Sequence, residues 1–294
     1  MAARQVNVSA WSRQWPAPAK LNLMLRIVGR RADGYHLLQT VFQLIDYCDY
    51  LQFSKRDDNR IILTTPLEGV ADEDNLVVRA AQILYRKAEN MQVEIPGVSI
   101  SVIKNLPMGG GLGGGSSDAA TTLVVLNHLW RLRLSLAEIA AMGLQLGADV
   151  PVFVAGNSAW AEGVGENLQP INLPGYWYIV LVPDCHVSTA EVFNHPQLTR
   201  DSESITIDGF SPDESYNDCL SVVAASYSQV RLALEDLAVY PVCGLTGTGG
   251  CVYASFHDEA DARIAAQNLA QHWKVFVAKA VNRSPLYQTL ATST

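Results

Sequence analysis

The chain has 294 residues, of which 49% are hydrophobic and 17% charged; that is material for about two globular domains with a substantial core, and it excludes a disordered or fibrous chain. A net charge of −8 argues against a non-specific nucleic-acid binder, which is usually basic. No apolar run reaches the roughly 18–20 residues of a membrane helix, so neither nucleic acid nor membrane is expected as a partner.

Met1 to Gln14 mixes polar and charged residues and reads as a frayed extension rather than a secretory signal. From Lys20 to Ile27 the chain alternates. Leu21, Leu23, Leu25 and Ile27 predict a buried strand face, and Lys20, Asn22, Met24 and Arg26 a ligand-accessible one. Asp33-Gly34 marks a turn, after which Leu37–Ile45 resumes a strand pattern. Asn75–Lys87 reads as a helix with Asn75 as its N-cap, and Val98–Ile103 as a strand. A glycine-rich segment, Pro107 to Ser117, leads into a helix over Asp118–Trp130. Ser135 and Glu138 form a capping box for the next helix, which Gly147 ends.

Ala148-Asp149-Val150-Pro151 then reads as a tight connection into an apolar strand, Val152–Val154. Glycines and prolines around residue 170 set the expected boundary between a domain of residues 1–170 and one of 171–294. Beyond it the pattern predicts a strand at Tyr178–Val182, a helix at Leu220–Leu237, a strand at Val252–Phe256, a helix at Glu259–Leu269 and a strand at Val275–Ala280. Both halves mix strands and helices, which predicts an α+β or α/β protein. The five cysteines are odd in number and include no C-x-x-C pair, so no disulfide framework or zinc site is indicated and a reduced cytoplasmic location is expected.

Six glycines, Gly109, Gly110, Gly111, Gly113, Gly114 and Gly115, stand between Met108 and Ser116, interrupted only by Leu112. Such a stretch has few side chains for a core and a high ordering cost, which suits a backbone that must approach a ligand. It opens a helix whose free N–H groups favour an anion. A flexible connector is the bland alternative. Gly109, Gly111 and Gly114 satisfy G-x-G-x-x-G, but the region about 20 residues on is helical and presents no acidic strand end. A Walker A loop is excluded because Ser116, not Lys, follows Gly115. An ATP phosphate loop outside both families is the reading that remains.

Lys20 is either a solvated edge lysine or a cation beside a transferring phosphate. Asp149 is either a turn aspartate or a base that takes the acceptor's proton. Leu245-Thr-Gly-Thr-Gly-Gly-Cys251 is either a turn before a strand or a second loop close to the ligand.

Together these clusters resemble the GHMP kinases. Pro18-Ala-Lys-Leu-Asn-Leu23, Pro107–Ser117 with Ala120, and Leu245–Gly249 are similar to that superfamily's three motifs, in order. Arg31–His36, Asp72–Leu76, Leu146–Phe153 and Ala161–Glu166 are similar to those members whose acceptor is 4-diphosphocytidyl-2-C-methyl-D-erythritol. The likeness runs from about Trp15 to Leu290 and is weakest over Asp201–Val242.

The resemblance implies a two-domain α+β GHMP kinase fold, an N-terminal domain like ribosomal protein S5 domain 2 and a ferredoxin-like C-terminal domain. It implies ATP and Mg²⁺ as cofactors, phosphorylation of the acceptor's 2-hydroxyl, Asp149 as base and Lys20 as its partner. Pro107, Met108, Gly109–Gly111, Leu112, Gly113–Gly115, Ser116 and Ser117 would hold the ATP phosphates, with Asn75 and Lys104 near the adenine nucleotide. Asn22, Tyr35, His36, Phe193 and Thr248 would hold the cytidyl substrate. The Mg²⁺ ligand is not identified, Ser117 and Glu162 being the candidates, and a homodimer is left open.

Overall fold

Two long antiparallel strands, β1 (Gln14–Arg30) and β2 (His36–Arg56), meet at the Asp33-Gly34 turn. Gly34 is needed there because its φ of 93° lies in the left-handed region. The structure, a computed structural model, describes residues 10–67 and 69–293. Most of the expected N-terminal extension, Met1 to Ser9, lies outside the described residues. Ala10–Ser12 is a 3-10 turn and Gln14 already belongs to β1, so the strand begins earlier than the alternation suggests. The alternation also breaks, because pairing with β2 slips between Asn22 and Met24 in a β-bulge. In consequence Lys20, Asn22 and Leu25 line the central cavity. Met24, expected on their face, is instead 3% exposed in the core.

β3 (Ile61–Leu63) and β4 (Gly97–Ile103) extend the sheet beyond β2. Between them α1 (Leu76–Asn90) starts at Asn75, whose side chain accepts from Val77 N at 2.9 Å. α2 (Gly114–Leu129) starts four residues before the predicted Asp118. Gly113 is its N-cap at φ 73°, so the last glycines of the loop form the first helical turn. α3 (Leu136–Leu144) carries the predicted capping box.

The expected strand over Val152–Val154 is instead part of a short helix, α4 (Val150–Ala155). Pro151 fits its first turn, where a missing N–H costs nothing, and Gly156 at φ 65° ends it. An apolar run this short and buried on all sides has no period to distinguish helix from strand. β5 (Ala159–Gly163) pairs with β2, and β6 (Asn167–Pro170) pairs with β5.

Then follow β7 (Trp177–Val182), α5 (Thr189–Asn194), β8 (Tyr216–Asn217), α6 (Leu220–Ser226), α7 (Ser228–Leu237), β9 (Cys243–Leu245), β10 (Val252–Phe256), α8 (Glu259–Leu269), β11 (Lys274–Val281) and α9 (Pro285–Ala291). The single helix expected over Leu220–Leu237 is two, because Tyr227 turns extended at φ −124°, ψ 97°. The strands form one sheet with the path β3-β4-β2-β11-β7-β10-β9. β11 pairs with β2 on one side and β7 on the other.

Three apolar clusters fill this α+β frame. One packs α1, α2 and α4 against β2 and β4, and receives Leu286 of α9. A second packs α6, α7 and α8 against β7 and β10, and receives Leu25 and Ile27 of β1. A third joins them through Leu21, Val41, Tyr178, Tyr253 and the glycine-loop residue Leu112.

Candidate active site

The glycine-rich loop is a wall between two cavities. A larger one, about 740 Å³, is lined by Lys20, Asn22, Tyr35, His36, Asp149, Phe193, Thr248 and one face of the loop. A smaller one, about 350 Å³, is lined by Asn75, Lys104, the continuous run Pro107–Ser116, and Asp118. Gly109, Gly111, Gly113 and Ser116 border both.

The second Gly/Thr loop holds this wall in place. Cys251 N donates to Gly110 O at 3.1 Å, and the Thr246 hydroxyl donates to Gly111 O at 3.1 Å. The same hydroxyl accepts from Asn22 N at 3.1 Å, and Lys20 N donates to Leu112 O at 3.0 Å. All three sequence clusters are therefore hydrogen-bonded to one another, and the segment before β10 is more than a turn. Where α2 begins, the N–H groups of its first turn have no intrahelical carbonyl to bind. Directed from a helix N-terminus beside the smaller cavity, they suit a phosphate group.

On the larger cavity's wall, Lys20 Nζ lies 3.2 Å from Asp149 Oδ2; the lysine is 3% exposed and the carboxylate 35%. Lys20 Nζ also donates to Asn22 Oδ1 at 2.6 Å, and Asn22 Nδ2 donates to Thr40 Oγ1 at 2.8 Å. Thr40 in turn donates to Met24 O at 2.6 Å. This chain orients the ammonium, and the Phe42 ring stands 5.4 Å from it. Asp149 occupies the N-cap position of α4, yet its side chain makes no capping bond. The carboxylate is thus tied to the lysine and open to the cavity, unlike that of a turn aspartate serving its own backbone.

Tyr35 is 63% exposed at the mouth of this cavity. His36 and Phe193 stack, with centroids 4.9 Å apart and planes at 20°, so one face of each ring is already covered. Phe193 also packs against the second apolar cluster. The Thr248 hydroxyl meets that of Thr189 at 2.8 Å, and both residues line the cavity.

In the smaller cavity, Lys104 is not free. It bridges the buried carboxylates of Asp49 and Asp118, the latter at 2.8 Å. Asp49 also accepts from the N–H groups of Asn105 and Leu106 at 2.6 and 2.8 Å, whereas Asp118 Oδ1 has no partner. Burial pushes the Asp118 carboxyl up to about 7; Lys104 opposes the rise and Asp49 adds to it. A carboxyl raised above its unfolded value takes up a proton on folding, so its contribution to stability falls between about pH 4 and 7 and is flat above. Asp118→Asn removes that loss. Its Tm relative to the unsubstituted protein should be higher at pH 8 than at pH 5 by about 2–4 °C, the size of roughly 1 kcal/mol in a large domain. Calorimetric scans at the two pH values test this, and an equal difference at both would refute it.

Two expected positions fall elsewhere. Glu162 accepts from Gln39 Nε2 and Trp160 Nε1 at 2.9 and 3.1 Å and lines neither cavity. Ser117 is fully buried behind the loop, its hydroxyl unpartnered, and also lines neither. Among the described residues no group of three or more His, Cys, Asp or Glu side chains could hold a metal ion. The sequence reading does not single out Thr40, Asp49, Asp118, Thr189 or Thr246. Each enters through pairing or tertiary contact, and of these Asp118 and Thr246 lie in segments that the sequence marks.

A model of the GHMP kinases N terminal domain matches residues 75–157. A chain from Nitrosococcus oceani called 4-diphosphocytidyl-2-C-methyl-D-erythritol kinase is 52% identical over 276 residues, 94% of this chain and 97% of that one. One of the same name from Methylococcus capsulatus is 53% identical over 94% of each chain. A crystal structure of 4-(cytidine 5'-diphospho)-2C-methyl-D-erythritol kinase superposes with a TM-score of 0.78 at 29% identity, covering 91% of this chain and 99% of that one. A mevalonate kinase, at 16% identity and a TM-score of 0.63 over 92% of this chain and 100% of its own, shares the fold.

Proposed function

The chain belongs to the 4-diphosphocytidyl-2-C-methyl-D-erythritol kinases, a family of GHMP kinases, and we propose that Asp149 and Lys20 carry its phosphoryl transfer. It is a phosphotransferase acting on an alcohol, with ATP as donor. The acceptor on this reading is the 2-hydroxyl of 4-diphosphocytidyl-2-C-methyl-D-erythritol. The observation behind it is the Lys20–Asp149 pair, 3.2 Å apart, facing a cavity that only the glycine loop separates from a second one.

ATP takes the smaller cavity, its phosphates against the N–H groups of Gly109–Ser116 and the start of α2, its nucleoside toward Asn75 and Lys104. The acceptor takes the larger one. Asp149 accepts the hydroxyl proton as the oxygen bonds to the γ-phosphorus and the bond to ADP breaks. Lys20, held by Asn22, offsets the charge that develops on the transferring group. Mg²⁺ bound with the nucleotide would neutralise charge on the phosphates while keeping several of its waters.

Tyr35 and the exposed side of the His36–Phe193 pair stack on the cytosine, each stack being worth about 1–3 kcal/mol. Asn22 and Thr248 meet the methylerythritol end. The cavity is lined from both sides of residue 170, where we draw the division between domains. Five free cysteines suit a reducing cytoplasm, and the net charge of −8 disfavours nucleic acid as a partner.

A coupled ADP-release assay tests the reading, with ATP, Mg²⁺ and four acceptors: the cytidyl compound, methylerythritol phosphate, homoserine and mevalonate. Turnover with the cytidyl compound alone is expected. Turnover with another acceptor would discard the base pocket and keep the transfer machinery.

A further inference from the structure

We propose that Arg200 is a positioning residue for cytosine recognition: its guanidinium fixes the plane of His36 and the tautomer that carries its proton on Nδ1. This inference rests on the base pocket described above. The sequence marks Arg200 with nothing, and it falls just outside both cavities' linings.

Its contacts explain the role. Arg200 Nε donates to His36 Nε2 at 3.2 Å. An arginine has only donors, so the nitrogen it meets must be an acceptor, and the ring's proton is left to Nδ1. The other arms of the fork bind the backbone that carries the stacking partner. Nη2 donates to Phe193 O and His195 O, both at 2.8 Å, and Nη1 donates to Leu198 O at 3.0 Å. One planar group thereby fixes the first residue of β2 and the end of α5, which are far apart in sequence. The parallel His36–Phe193 stack is the geometry this produces.

Charge acts in the same direction. Burial lowers the His36 pKa first, then Arg200, then Arg30, which faces it across the β1–β2 pair. Phe193 brings no charge. A histidine held below its ordinary value takes up its second proton at lower pH than a free imidazole, so the pattern it offers a cytosine edge persists further into acid. Neutral ring, single tautomer and fixed plane are together what a base-reading group requires.

The first test is ¹⁵N NMR of the imidazoles in the unliganded protein, with His36 assigned by its loss in His36→Ala. His36 should have a protonated Nδ1 and an unprotonated Nε2. In Arg200→Met its proton should redistribute to Nε2 and its titration move to higher pH. Kinetically, Arg200→Met should raise KM for the cytidyl substrate about 10-fold or more, the low end of what partners orienting a ligating histidine contribute. Values of kcat and of KM for ATP should change far less. Arg200→Lys keeps the charge without the planar fork and should recover only part of the loss. A wild-type His36 protonated on Nε2 would overturn the inference, as would an unchanged substrate KM in Arg200→Met when His36→Ala raises it. An unchanged KM in both variants would overturn the cytosine pocket itself.

Discussion

Asp149→Asn should lower kcat by about 10²–10⁴-fold, the range a positioned general base contributes, while the affinity for ATP should stay close to that of the unsubstituted enzyme. The amide has the carboxylate's shape and cannot take a proton. The substitution should leave α4 intact, because the Asp149 side chain makes no capping bond to it. Lys20 keeps its 2.6 Å bond to Asn22 and can take the amide oxygen in place of Oδ2. Asp149 also lies outside the lining of the smaller cavity proposed for ATP, so nucleotide binding should be spared. Steady-state ADP release and calorimetric titration with ATP measure the two quantities separately. A kcat near wild type would dismiss Asp149 as the base. Lys20→Ala should follow it, with the loss in kcat; a loss confined to KM would make Lys20 a binding residue.

Gly111→Ala damages both cavities at once. Gly111 has φ 74°, and a Cβ there would stand 2.1 Å from Thr246 O and 3.2 Å from Gly249 O. Those atoms are backbone, so no side-chain rotation relieves the clash. The two loops must separate, and the Thr246–Gly111 and Cys251–Gly110 bonds weaken with them. The left-handed backbone alone costs an alanine about 1–3 kcal/mol, and the clash adds to it. KM for ATP and for the acceptor should both rise at least 10-fold, with Tm lowered by several degrees. Gly115→Ala is the matched control. Its Cβ meets only Leu76 Cδ1, at 3.5 Å, inside the first turn of α2. Thermal scans and initial rates on the pair decide the matter, and wild-type values for Gly111→Ala would refute the account.

The grouping of Lys20, Asp149 and the glycine loop was legible because these residues stand at positions where the bland alternative requires something else. A glycine run between strand and helix does not pack a core, and the structure puts it where a ligand can reach the backbone. What escaped reading depends on pairing. The slip at Asn22/Met24 exchanges Met24 for Leu25 on the cavity wall, and no local pattern announces a bulge. α4 escaped because six apolar residues, five of them buried, have no polar face from which to read a period. The helix break at Tyr227 has neither proline nor glycine to mark it. Lys104, expected near the adenine nucleotide, lines the smaller cavity, but its two carboxylates come from β2 and α2, and only folding brings them together.

The position of β11 has a consequence for how the molecule is made. The strand that closes the sheet between β2 and β7 is Lys274–Val281, which comes after both of them in the chain. During synthesis both of its neighbours exist long before it leaves the ribosome. Until then β7 has a partner on one side only, β10, and its other edge is bare. An open edge is a template for pairing with another chain, and contacts this distant in sequence form slowly. The nascent chain therefore carries a hazard of misassembly that lasts until β11 has been added and paired.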